Sequence, residues 1–294
     1  MMAPMSAASA PVPSDSASTS ATSAPSTSQN PPVTLTIAGS EATGGAGAQA
    51  DLKTFQALGT YGMVALTCIV SLDPKADWAH RFVPVDAGVI ADQLEAQFAC
   101  YPVDAVKLGM LGTPVTIDTV ADALGGLGQA RPAHVVVDPV LICKGQEPGA
   151  ALDTDNALKE RILPLATFVT PNHFESMALS GLENIDSVDD LAEAARRIHD
   201  VCGAAVLAKG GVRLSGPDAI DVFYDGSTLE VLATPKVGEV AVNGAGCTLA
   251  AAVTAELAKG ATPLDAARAA KSFVTRGIEA RISSNAPFDA VRQV

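Results

Sequence analysis

Cysteine is scarce in this chain and unpaired. There are five, Cys68, Cys100, Cys143, Cys202 and Cys247, and no two form a CxxC pair. That excludes a zinc knuckle and a disulfide-stapled secreted scaffold, and it points to a reduced, cytoplasmic protein. Positive charge is also short, with 19 Lys and Arg against 32 Asp and Glu and a net charge of −13. Nucleic acid and anionic membrane surfaces are therefore poor partners, whereas a nucleotide needs only a local pocket. No apolar run reaches the length of a membrane span. There is no Walker A motif, and one tryptophan, Trp78. What is plentiful is aliphatic residue. With 48% hydrophobic residues in 294, the chain can bury one large α/β core.

Residues 1–32 are built almost wholly of Ser, Ala, Pro and Thr, with no Lys or Arg. Such a segment lacks the charged and apolar regions of a secretory signal. It cannot bury enough surface to offset the entropy of ordering, so it reads as a disordered tail, or as the product of a start site set too far upstream. The folded domain then spans 33–294.

The most informative stretch is Val242-Asn243-Gly244-Ala245-Gly246-Cys247-Thr248, which runs into a series of helix formers ending at Gly260. A Gly-rich turn opening a helix directs unpaired backbone N–H groups to one point. The helix dipole adds partial positive charge there, so a phosphoryl group is welcome. Cys247 sits at that N-terminus, where a thiol pKa is expected to fall.

The rest of the chain alternates. Val33–Ala38 reads as a strand, 39–47 as a Gly-rich loop and Gln49–Leu58 as a helix. That is the layout of a nucleotide-binding unit without the GxGxxG spacing. Tyr61–Val70 reads as a buried strand, and Ser71–Pro84 as irregular, either a flap or an exposed loop. Helices are expected over Asp86–Cys100, Val115–Leu124, Asp153–Leu163, Ser187–Asp200 and Leu264–Arg281. Strands are expected over Ala105–Leu108, His134–Asp138, Phe168–Thr170 and Ala204–Ala208, with a hairpin around Asp225-Gly226. The pattern predicts one doubly wound, mostly parallel sheet with helices on both faces and an antiparallel edge near the end. Asp138, Asn172 with Glu175, Lys209-Gly210-Gly211 and the 243–247 turn all fall at strand C-termini, the edge where such sheets bind ligands. Carboxylates suited to Mg²⁺, a lysine for phosphate and an anion-binding helix start make a phosphoryl-transfer set.

These residues resemble those of the ribokinase-like vitamin kinases. The matching motifs are Ala38-Gly39-Ser40, Gly44-Gly45-Ala46-Gly47-x-Gln49-Ala50-Asp51-Leu52-Lys53-Thr54, Lys107-x-Gly109-Met110-Leu111, Thr170-Pro171-Asn172-x-x-Glu175, Lys209-Gly210-Gly211 and Gly244-Ala245-Gly246-Cys247-Thr248. That group includes the hydroxymethylpyrimidine and phosphomethylpyrimidine kinases and the bacterial pyridoxal kinases. Tyr61–Thr67, the Trp78-Ala79-His80 flap and Val137–Gly145 look like the dual-cysteine pyridoxal kinases. Leu72 stands where the pyrimidine kinases carry a substrate-binding Gln.

The resemblance implies an ATP-dependent kinase that phosphorylates the hydroxymethyl group of pyridoxal or pyridoxine, or a pyrimidine kinase, or both in one enzyme. It implies Cys247 as the general base, with the N–H groups of Gly244, Ala245, Gly246 and Cys247 around the transferring phosphoryl group. Asp138 and Glu175 would serve Mg²⁺, and Asn172, Glu175, Lys209, Gly210 and Gly211 would contact ATP, with Asp221 and Gly246 as further nucleotide candidates. Gly39, Asp51, His80 and Met110 fall on the substrate side, and Cys143 in a lid loop. A homodimer is implied as well.

Overall fold

The computed structural model describes residues 30–141 and 148–294, with only the backbone described over 148–151. The tail reading for 1–29 and the lid cysteine Cys143 lie outside the described residues. Strand and helix follow in the order β1 (Val33–Glu41), α1 (Gly47–Ala57), β2 (Tyr61–Asp73), β3 (Ala79–Pro84), α2 (Ala87–Cys100), β4 (Ala105–Leu108), α3 (Pro114–Gly126), β5 (His134–Val137) and α4 (Pro148–Ala157). They continue with β6 (Phe168–Val169), α5 (His173–Ser180), α6 (Val188–Cys202), β7 (Ala205–Gly211), β8 (Asp218–Tyr224), β9 (Leu229–Pro235), α7 (Ala245–Ala258) and α8 (Pro263–Glu279).

The strands form one sheet in the order β3-β2-β1-β4-β5-β6-β7-β8-β9. The run from β2 to β7 is parallel, and β3, β8 and β9 pair antiparallel. The doubly wound, mostly parallel sheet is therefore as the sequence predicts, except that it has antiparallel strands at both margins. Ser71–Pro84 is not irregular. It completes a hairpin in which Leu72 pairs with His80 and Ser71 with Arg81. The tip of that hairpin turns through positive φ at Asp77 and Trp78, a non-glycine signature that composition does not reveal. β2 is consequently half-exposed rather than buried, with Ile69 51% exposed, because its outer neighbour is a marginal strand without a helix over it.

Alternation along the parallel strands explains the two layers. Leu35 and Ile37 of β1, Val106 and Leu108 of β4, and Val135 and Val137 of β5 share one core with Ile90 and Leu94 of α2 and Ile117 and Val120 of α3. Val136, Leu207 and Phe223 point the other way and pack with Leu249 and Val253 of α7 and Phe273 of α8. α1 joins this second layer, where Phe55 meets Ala251 and Ala255. The helix expected over Asp153–Leu163 starts earlier, in α4, and passes through a π turn at Leu158–Ile162 and a 3₁₀ turn at Leu163–Leu165.

Candidate active site

Most helices here begin at a side-chain cap. Asp86, Thr113, Asn172, Ser187 and Thr262 each accept a backbone N–H at the start of α2, α3, α5, α6 and α8. α1 and α7 have no such cap, at Ala46 and Gly244 respectively. Both begin at Gly-rich turns, and the two turns touch. Gly244 has φ 81°, and a Cβ there would lie 1.8 Å from the Gly45 carbonyl oxygen, so only glycine fits. Gly47 has φ 62° and its Cβ would lie 2.4 Å from the Gly39 oxygen. The first turn of α7 thus lies at the C-terminal edge of the central strands, near Lys209 and Asp138, the position expected of an anion site.

Cys247 is in that first turn and partly accessible. The sequence expectation of a lowered thiol pKa is overturned. Burial pushes the thiol up to about 11, against the opposing pull of Lys107 and the Gly47 backbone. Helix position alone does not decide a thiol's charge where burial opposes it.

Two lysine–carboxylate pairs surround this thiol electrostatically. In the first, Lys107 Nζ donates to Asp51 Oδ2 at 2.8 Å, with both side chains 0% exposed. Thr36 Oγ1 donates to the same oxygen at 2.6 Å, while Asp51 Oδ1 is buried without a hydrogen bond. Sheet register makes this group: Thr36 of β1 is opposite Lys107 of β4, on the face that α1 covers with Asp51. Burial pushes Asp51 up, and Lys107 and Thr36 pull it back. Burial works against the Lys107 charge, but Asp51, Cys247 and Asp138 outweigh it and hold the ammonium above its ordinary value.

In the second pair, Lys209 Nζ donates to Asp138 Oδ1 at 2.9 Å, with side-chain exposures of 12% and 6%. Thr170 Oγ1 donates to the same oxygen at 3.0 Å. Burial disfavours the Asp138 charge, yet Lys209 and Lys107 overcome it and keep the carboxyl below the ordinary carboxylate value. A Cβ on Gly246 would stand 3.4 Å from Lys209 Nζ and 3.8 Å from Asp138 Oδ2, so the α7 turn lies directly against this pair.

Of the residues singled out from sequence, Gly244, Ala245, Gly246, Cys247, Asp51, Asp138, Lys209 and Glu175 gather here. Asn172 and Glu175 close a reciprocal capping box on α5: Asn172 Oδ1 accepts from the Glu175 N–H at 3.0 Å, and Glu175 Oε2 accepts from the Asn172 N–H at 2.8 Å. Burial and the nearby Asp138 raise the Glu175 carboxyl to about 8, against Lys209. Gly39 and Met110 form a neighbouring wall, with Met110 Sδ 3.9 Å from a Cβ placed on Gly39 and Cys68 Sγ closer still. His80 lies on the β3 hairpin. Gly210 and Gly211 fall at a bulge between β7 and β8.

Asp221 turns away from this cluster. Its Oδ2 pairs with Lys271 Nζ of α8 at 2.8 Å, and Oδ1 accepts from the Gly211 N–H at 3.4 Å. A cleft of about 490 Å³ beyond Gly211 is lined by Val212, Gly216, Pro217, Lys236, Gly238 and Glu239. Lys107 was visible in sequence only as part of a motif and carried no role. Its signal was a lysine inside a strand otherwise apolar, which demands a buried counter-charge.

Among the described residues, no helix is long and apolar enough to cross a membrane, and no three His, Cys, Asp or Glu side chains converge as a metal cage. Asp138, held ionised, nonetheless suits Mg²⁺, which takes one or two carboxylates and completes its shell with water and phosphate oxygens, whereas Glu175 would have to lose its proton to join it.

A ribokinase-like sheet whose uncapped Gly-rich helix start faces a lysine, a buried carboxylate and a thiol defines an ATP-dependent kinase of the vitamin-kinase class. Comparison with known proteins agrees. The phosphomethylpyrimidine kinase family matches residues 41–291, and the chain belongs to it. The pyridoxine kinase of Bacillus subtilis is 46% identical over 245 residues, 83% of this chain and 89% of the relative. The hydroxymethylpyrimidine/phosphomethylpyrimidine kinase of Rhizobium meliloti is 39% identical over 248 residues, 84% and 91% of the two chains. Among solved structures, an ADP complex of Bacillus subtilis pyridoxal kinase has a TM-score of 0.84 at 44% identity, covering 90% of this chain and 98% of its own. Staphylococcus aureus pyridoxal kinase with AMP-PCP and pyridoxal has a TM-score of 0.82 at 40% identity, covering 90% and 94%.

Proposed function

We propose that this protein transfers the γ-phosphoryl group of ATP to the hydroxymethyl group of pyridoxal and pyridoxine. The observation that carries the reading is the placement of Cys247 in the uncapped first turn of α7, within the field of Lys107 and beside the Lys209–Asp138 pair. Once its thiol, which burial holds up at about 11, has released its proton to solvent, Cys247 takes the proton of the substrate hydroxyl. The hydroxyl oxygen then bonds to the γ-phosphorus as the bond to the β,γ-bridging oxygen breaks, giving ADP and the phosphate ester. N–H groups of Gly244 to Cys247 receive charge on the transferring group, and Lys209 follows it as a point charge. Mg²⁺, when bound, neutralises phosphate charge. Asp138 would hold it, joined by Glu175 once that carboxyl has lost its proton, directly or through water. Asn172, Gly210 and Gly211 border the phosphate side, and the cleft beyond Gly211 suits the rest of the nucleotide.

Gly39, Asp51, Met110 and His80 fall on the substrate side by resemblance, with Asp51 sealed beneath it against Lys107. Leu72 pairs with His80 across the hairpin, so the place where pyrimidine kinases carry an amide offers none here. This supports the pyridoxal reading, while the Rhizobium meliloti relative keeps pyrimidine phosphorylation as the second one. The same reading makes the protein a cytoplasmic homodimer.

ATP consumption with pyridoxal, pyridoxine and hydroxymethylpyrimidine side by side tests the assignment. Turnover only with the pyrimidine would overturn it. The Cys143 thiol is assigned a reversible hemithioacetal with the pyridoxal aldehyde. Cys143→Ser should then lower kcat/KM for pyridoxal at least about tenfold and leave pyridoxine much less affected. Equal losses on both would reduce Cys143 to a packing residue.

A further inference from the structure

The loop that leads into α1 contains a second anion-binding turn, and that turn is already filled from within the chain. Glu41, the last residue of β1, is 8% exposed. Its Oε1 accepts from the Thr43 N–H at 2.8 Å, and its Oε2 accepts from Thr43 Oγ1 at 2.7 Å and from the Gly45 and Ala46 N–H groups at 3.2 Å each. The Glu41 N–H in turn donates to Gln49 Oε1 at 3.0 Å, and Gln49 Nε2 to Ser40 Oγ at 2.7 Å. A carboxylate that accepts several backbone N–H groups is held strongly, and here it fixes the turn just before the uncapped start of α1. The loop so fixed is the one that meets the reacting centre at two points. Gly45 presents its carbonyl to Gly244, and the Gly47 backbone lies near enough to Cys247 to oppose the rise of its thiol pKa.

We propose that Glu41 is a positioning residue for phosphoryl transfer: by occupying the Thr43–Ala46 turn it sets the loop that holds both the Cys247 thiol and the Gly244 turn in register. Two adjacent Gly-rich turns then have opposite assignments. One is filled by a carboxylate of the chain, and the other stays open for the phosphoryl group. The carboxylate also denies the first turn to a wandering phosphate. Small displacements of such a support act on the reacting geometry rather than on substrate affinity.

The proposal rests on the kinase reading, so two readouts are needed. In full-length protein, Glu41→Gln keeps one acceptor and loses the charge, and Glu41→Asp keeps the charge one methylene short. Glu41→Gln should lower kcat at least about tenfold while KM for ATP moves less than about threefold, and Glu41→Asp should recover part of the loss. The second readout needs no substrate. Iodoacetamide labelling, followed at Cys247 and at the exposed Cys100 by peptide mass, should change at Cys247 by at least about threefold and not at Cys100. A slower rate reports the lost Gly47 neighbour, and a faster one an opened loop. Both place Glu41 in control of the thiol's surroundings. The idea is overturned if both variants keep wild-type kcat and labelling, if the kcat loss matches only a loss of folded protein by circular dichroism, or if neither variant folds. A wild-type protein inactive on all three vitamins would instead sink the kinase assignment, with the labelling result unaffected.

Discussion

The two lysine–carboxylate pairs at Cys247 have nearly equal lengths, 2.8 and 2.9 Å, and different surroundings. Lys107 and Asp51 are sealed, at 0% exposure, whereas Lys209 and Asp138 keep 12% and 6% of their side chains open. A sealed charge pair is an expensive way to stabilise a fold, because its desolvation cost can exceed its attraction. Its value here is electrostatic: Lys107 pulls the Cys247 thiol down against burial, which still holds it up at about 11. The open pair lies against the α7 turn, where an arriving phosphate can compete for the lysine. One pair conditions the base, and the other exchanges partners with the substrate.

The comparison is tested most severely at the thiol that both pairs serve. Cys247→Ala should reduce kcat by roughly 10²–10⁴-fold with little change in KM for ATP, since a general base acts in the transition state. A variant within a few-fold of wild type would falsify the role given to the thiol. Next in size is Lys107→Met, which leaves a buried, unpaired Asp51. Urea unfolding should show a loss of about 3–5 kcal/mol, largely recovered in the Lys107→Met, Asp51→Asn double variant. If the single variant were as stable as wild type, the pair would not be sealed in the sense argued above. Lys209→Met, at the open pair, should lose about 10–100-fold in kcat/KM for ATP. Its stability cost should be clearly smaller than that of Lys107→Met, and the reverse ranking would break the comparison.

The smallest effect concerns pH. The Glu175 carboxyl is raised from its ordinary 4.5 to about 8, first by burial and then by Asp138. Between those values the folded protein holds a proton that the unfolded chain has released, so stability falls as pH rises through this window. Glu175→Gln can still accept from the Asn172 N–H but cannot titrate. It should flatten the slope, and its stability relative to wild type should rise by on the order of 1–3 kcal/mol between about pH 5 and pH 8. An unchanged slope would show that Glu175 titrates normally.

What could be read from sequence was what depends on neighbours along the chain. Turn glycines, the Asn172–Glu175 box and the Asp225-Gly226 hairpin carry their geometry in short motifs, and strand-to-helix alternation carried the winding of the sheet. What escaped depends on residues far apart in sequence. Lys107 acquires a role only when β1 and β4 align Thr36 beside it and α1 brings Asp51 over both. The thiol of Cys247 was misjudged because the helix dipole is local and visible, while the burial that outweighs it is made by the whole fold. β3 was missed because six residues of mixed polarity at a sheet margin have no strong period, and the turn before them bends at Asp77 and Trp78 without glycine.

The order of strands also describes an itinerary. From β5 to β9 each strand lies beside the one made just before it, so the sheet grows outward through local crossings that can form while synthesis continues. α7 breaks that rule. It returns across the molecule to pack on α1, where Phe55 meets Ala251 and Ala255, a closure that spans most of the chain and is correspondingly slow. Cys247 rides on that helix, and it meets Gly47 and the field of Lys107 only once the closure is made. A refolding protein would therefore show most of its strand and helix signal before it could turn over substrate, and a nascent chain would complete its sheet before it had a base.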